Sequence, residues 1–70
     1  MDYEQRFEEL FEMARTDAYS QPAVEGLAAF VRDPDCPEAL AYQAKGLIES
    51  QLITANSEED LAHFYAATGG

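Results

Sequence analysis

Residues 2–16, Asp2-Tyr3-Glu4-Gln5-Arg6-Phe7-Glu8-Glu9-Leu10-Phe11-Glu12-Met13-Ala14-Arg15-Thr16, decide the fold class of this 70-residue chain. Tyr3, Phe7, Leu10, Phe11 and Ala14 recur at three- and four-residue intervals. That spacing predicts a helix with one apolar stripe.

The same period continues downstream. Over Pro22–Arg32, Val24, Leu27, Ala28 and Val31 repeat it, and Pro22 suits a first helical turn. Asp33-Pro34-Asp35-Cys36-Pro37 reads as the next turn. Asp35 is placed to cap a third helix, with Pro37 in its first turn and Glu38 three residues on. This helix is expected to reach Ile53 and to be the most buried, because Leu40, Ala44, Leu47, Ile48 and Leu52 cover a wide arc. Ser57 should cap a short fourth helix, Glu58–Ala67, burying Leu61, Phe64 and Tyr65, with Thr68-Gly69-Gly70 fraying. Gly26 and Gly46 fall inside helices, where glycine costs about 1 kcal/mol relative to alanine. Close helix–helix contact is the expected reason for both. No segment fits a strand. The expected fold is all-α, one domain over residues 1–70, a compact bundle of three to four short helices. Its expected core is Phe7, Leu10, Phe11, Leu27, Val31, Leu40, Leu47, Ile48, Leu61 and Phe64.

Composition narrows the function classes. Fourteen acidic residues oppose four basic ones, for a net charge of −10. Self-repulsion at that density opposes folding. Hydrophobic residues nevertheless make up 47% of the chain, with four Phe and four Tyr, more than a disordered acidic tail carries. The excess of negative charge argues against direct binding to nucleic acid or to an anionic membrane. No apolar run approaches the roughly 18 residues of a membrane span, and the first ten residues do not read as a signal peptide. A single cysteine, Cys36, cannot form an internal disulfide. The expectation is a reducing, cytoplasmic setting.

Most of the acidic residues have a structural explanation. Glu58, Glu59 and Asp60 sit in a first helical turn, where the helix dipole favours anions. Asp33, Asp35 and Glu38 flank another helix start, and their spacing lacks the ligand pattern of an EF-hand. Glu4, Glu8 and Glu12 are different. They stack four residues apart, where like charges destabilise a helix by a few tenths of a kcal/mol per pair. Arg15 relieves only one end, and Arg6 points toward Asp2 and Glu9. The expected partner-binding face is therefore Asp2, Glu4, Glu8, Glu9 and Glu12. A face kept charged only for solubility is the competing explanation.

No catalytic, metal or cofactor site is expected. Acidic neighbours disfavour a Cys36 thiolate. His63, near Glu59 and Asp60 in helical register, suggests an intrahelical ion pair rather than half a metal site. In size, charge and helical content the chain resembles acyl carrier proteins, but their Asp-Ser-Leu motif is absent: Ser20 follows Tyr19 and precedes Gln21-Pro22. Gly69-Gly70 is similar to a ubiquitin-like tail, with none of that mixed sheet-and-helix fold upstream.

The leading expectation is a non-enzymatic protein that docks on a basic surface of another protein. A nucleic-acid-processing enzyme, whose channel must be basic, is the natural target, making this chain an inhibitor and a nucleic-acid mimic. The alternative is a helical homodimer or accessory subunit whose apolar surface is the functional one, with Tyr3, Phe7, Leu10 and Phe11 as its self-association residues.

Overall fold

Side-chain caps set the start of three helices. Asp2 accepts the Gln5 amide at 3.1 Å, Ser20 the Ala23 amide at 3.3 Å, and Ser57 the Asp60 amide at 3.1 Å. The computed structural model describes residues 2–69. Its helices are α1 (Tyr3–Thr16), α2 (Gln21–Arg32), α3 (Glu38–Thr54) and α4 (Glu58–Thr68). The described residues contain no strand, so the fold is an all-α bundle of four helices. No helix among them is long and apolar enough to cross a membrane.

The start of α3 differs from expectation. Pro37, not Asp35, is its N-cap, and no side chain bonds there. Asp33 is responsible: its carboxylate accepts the Asp35 amide at 2.9 Å, closing a local turn that leaves Asp35 outside the helix. The end of α4 also differs. Thr68 is helical, with its hydroxyl on the Phe64 carbonyl at 2.9 Å, and Gly69 closes the helix in the left-handed conformation at φ 73°. Only glycine adopts that backbone without strain. The expected fraying at Gly70 lies outside the described residues.

The central helix is α2, not α3. It packs against α1, α3 and α4, whereas α1 and α3 meet along only one further seam. A helix with three neighbours buries a wide arc, and α2 buries Ala23, Val24, Leu27, Ala28 and Phe30. In α3 only Ala44 and Gln51 are fully buried. Phe30, absent from the expected core, organises an aromatic cluster. Its ring centroid lies 6.1 Å from Tyr3 and 6.2 Å from Phe7. Of the expected core, Leu10, Leu27 and Phe64 are fully buried. Phe7, Val31, Leu40, Leu47, Ile48 and Leu61 are partly buried. Phe11 is 42% exposed and does not belong to the core, and Tyr65 is 50% exposed.

The two helical glycines have opposite surroundings. A Cβ on Gly26 would press into Leu10, lying 3.0 Å from Cδ1 and 3.2 Å from Cγ. Here α1 and α2 approach closely, as expected. At Gly46 a Cβ would meet nothing within 4 Å. The expected helix–helix contact there does not exist within the chain.

Polar bonds fix the bundle's two ends. At one, the Tyr3 hydroxyl donates to Asp33 at 2.9 Å, joining the start of α1 to the end of α2. That bond, with partial burial, raises the Tyr3 pKa above its ordinary value. At the other, buried Gln51 accepts the Ser20 amide at 2.8 Å and donates to the Ala14 carbonyl at 3.4 Å. One amide group thus ties α3 to both sides of the α1–α2 turn. The Cα framework measures 33 × 24 × 16 Å. With packed helices about 8–10 Å apart, that shortest dimension is two layers deep, so every helix keeps a solvent face.

Candidate functional site

The outer face of α1 lies opposite the side that carries Leu10. Glu4, Glu8 and Glu12 are exposed on it, and Asp2 and Glu9 are exposed on its flank beside Arg6. They are not electrostatically equivalent. Asp2 is occupied as the N-cap. Glu9 accepts from Arg6 Nη1 at 3.2 Å, and Glu12 accepts from Arg15 Nη2 at 2.9 Å. Glu12 in turn raises the Arg15 pKa. Glu4 and Glu8 have no ion-pair partner among the described residues. Exposed pairs of this kind contribute about 0–1 kcal/mol, so a partner's cations compete with them easily. Glu4 lies in the first turn of α1, where the helix dipole offsets its charge, so the uncompensated centre of the face is Glu8, with Glu9 and Glu12 as replaceable flanks.

Phe11 stands at the edge of this face, its ring centroid 6.4 Å from that of Phe7. Beside it a shallow, solvent-open groove of about 290 Å³ runs between α1 and α3, lined by Phe7, Phe11, Gln43, Gly46, Leu47 and Ser50. Helical register places Tyr42 and Ile53 on the same outer side of α3 as Gly46. They are 78% and 83% exposed. Phe11 lines the groove itself, while Tyr42 and Ile53 continue the exposed face of α3 beyond Gly46, a glycine that forgoes about 1 kcal/mol of helix propensity with no packing inside the chain to require it. The sequence reading missed this groove.

The expected self-association residues separate in the structure. Leu10 is fully buried and cannot form a surface contact. Tyr3 and Phe7 are partly buried, the former engaged with Asp33. Phe11 alone of the four presents a large exposed apolar surface.

The remaining ionisable groups sit elsewhere. His63 does not pair with Glu59 or Asp60. Its Nδ1 lies 2.8 Å from the Tyr19 hydroxyl and its Nε2 3.6 Å from Glu25. These contacts join α4 to α2 and to the α1–α2 turn. Burial, followed by the charges of Asp60 and Glu25, pushes the Tyr19 pKa up. Burial and then Asp33 likewise raise the Cys36 thiol, which makes it a poor nucleophile. Arg32 donates to the Ala67 carbonyl at 2.6 Å, satisfying an end of α4. Glu58, Glu59 and Asp60 occupy the first turn of α4 as the dipole argument requires. Among the described residues, no three His, Cys, Asp or Glu side chains converge as metal ligands.

Comparison with known proteins found no match to this chain among protein-family models, curated proteins or solved structures.

Proposed function

We propose that this chain is a non-enzymatic binding protein that docks α1 on a basic surface of another protein. The observation that carries the reading is the alignment of Glu4, Glu8 and Glu12 along one exposed helix face, where Glu4 and Glu8 have no ion-pair partner among the described residues and Glu12 is held only by an exposed pair with Arg15. Keeping like charges in line costs helix stability, which a cationic partner recovers. The proposed target class is a nucleic-acid-processing protein, whose channel carries the required positive charge, and occupying that channel inhibits it. Imitation of a phosphate backbone is only approximate. Four helical residues rise about 6 Å, whereas phosphates repeat every ~3.4 Å per strand, so Asp2 and Glu9 must fill the intervals.

A second reading is favoured by Phe11, Tyr42 and Ile53, whose exposure suits an apolar interface with a second copy or a larger assembly. Ionic strength separates the two. Affinity capture from the native host at low and at high salt, using wild type and the E8K/E12K double variant, is the test. Electrostatic docking predicts a partner retained at low salt, released at high salt and lost in the variant. Retention that ignores both salt and charge reversal contradicts docking through α1 and supports the apolar interface.

A further inference from the structure

The geometry points to a specific kind of partner element: a basic amphipathic helix seated in the α1–α3 groove, with an apolar ridge over Gly46 and Lys or Arg residues along Glu4, Glu8 and Glu12. This inference rests on the docking reading above and adds the shape of what docks.

Three features of the groove select that occupant. Its floor is uncharged and low, because Gly46 has no side chain and Ser50, one turn on, has a small one. A helix backbone can therefore approach α3 closely. Phe11 forms its apolar α1 side, and by helical register the exposed Tyr42 and Ile53 extend the apolar surface of α3 beyond Gly46. An apolar ridge at i, i+3, i+4 and i+7 fits along such a surface. Beyond the rim on the α1 side the charge is negative: Glu4 and Glu8 have no ion-pair partner among the described residues, Glu8 lines the surface beside Phe11, and Arg15 at the far end is engaged with Glu12. A seated helix that is cationic on its α1-facing shoulder meets carboxylates there. The register also matches. Glu4, Glu8 and Glu12 rise about 6 Å per step, and so do cations placed every fourth residue on a helix lying alongside. A second copy of this chain meets these criteria poorly, since it brings ten more net negative charges to the same surface.

Two synthetic probes test the inference. One is an amphipathic Leu/Lys peptide with leucine at i, i+3, i+4 and i+7, and the other is an oligolysine of equal charge. Titration calorimetry would compare wild type, G46L, F11S and E8K/E12K. Gly46→Leu fills the groove without internal clash, because nothing lies within 4 Å of the added Cβ. The expected result is that the Leu/Lys peptide binds more tightly than oligolysine. G46L and F11S should weaken it by roughly tenfold or more, the scale of losing an interface anchor, while leaving oligolysine binding unchanged. Equal binding of both probes, unaffected by G46L and F11S but weakened by E8K/E12K, overturns the groove and leaves charge docking in place. Binding indifferent to E8K/E12K overturns both. A wild-type dimer in sedimentation that G46L dissociates assigns the groove to a second copy and overturns the basic helix.

Discussion

Alanine at Gly26 and alanine at Gly46 are the same chemical change in helix interiors, yet the structure gives them opposite signs. Both recover up to about 1 kcal/mol of helix propensity. At Gly46 nothing lies within 4 Å of the new Cβ, so that gain stands alone. At Gly26 the methyl enters the space of Leu10, whose side chain has no exposed surface into which it can retreat. Overpacking of this kind costs about 1–3 kcal/mol. After the propensity gain, G26A is expected to be destabilised by about 0–2 kcal/mol, and G46A stabilised by up to about 1. For a domain of this size each kcal/mol moves the melting temperature by roughly 4–8 °C. Thermal melts followed by circular dichroism resolve the ordering G46A above wild type above G26A. A third variant isolates the cause. Leu10→Ala alone should cost about 2–5 kcal/mol, and adding G26A to it should cost nothing more, because the methyl then enters vacated space. A G26A protein more stable than wild type, or one whose penalty persists in the L10A background, would refute the close contact of Leu10 with Gly26 between α1 and α2.

Gln51→Leu should destabilise by about 1–3 kcal/mol in urea unfolding, since the buried Ser20 amide loses its partner, whereas an exposed control, Gln43→Leu, should change little. Tyr3 and Tyr19 carry raised pKa values, so the folded state holds their protons after the unfolded chain has released them. Their contribution is complete below the ordinary value of 10.0 and is lost as pH rises above it. Unfolding free energy should fall from about pH 10 upward, and less steeply in the Y3F/Y19F double variant; parallel slopes would contradict the assignment. With a net charge of −10 the melting temperature should rise as salt is added from about 0.01 M, where the Debye length is near 30 Å. A flat or falling series would show that self-repulsion does not limit stability.

Periodicity carried α1 and α2, whose apolar residues fall on one stripe; α3 and α4 are only weakly amphipathic, and the Asp33–Pro37 turn and the Ser57 cap helped to mark them. Centrality was not legible. The apolar positions of α3 look like those of a buried helix, but part of its arc, including Tyr42 and Ile53, faces away from the bundle. Sequence does not say which of two apolar faces meets a neighbour. Phe30 was missed for the converse reason: it lies off the narrow stripe of Val24, Leu27, Ala28 and Val31 and becomes buried only because α2 has three neighbours. Asp35 and His63 were assigned by local spacing, and tertiary partners took over both neighbourhoods: Asp33 closes the turn at Asp35, and Tyr19 with Glu25 engages His63. The acidic stripe was legible because charges at i, i+4 need no tertiary information. The groove beside it was not, since it exists only where α1 and α3 meet.

The central claim is that the acidic face of α1 is a docking surface and not only a solubilising one. It is tested most directly by measuring association rates of host proteins with immobilised wild type, E8K/E12K and E58K/E59K across a salt series. Glu58 and Glu59 lie in the first turn of α4, so their reversal changes the net charge by the same amount while acting on a helix dipole. Docking through α1 predicts that E8K/E12K slows association and flattens its salt dependence, while E58K/E59K lowers the melting temperature and leaves association close to wild type. Equal slowing by the two reversals would reduce the face to bulk charge, and loss of binding confined to E58K/E59K would place the docking surface on α4.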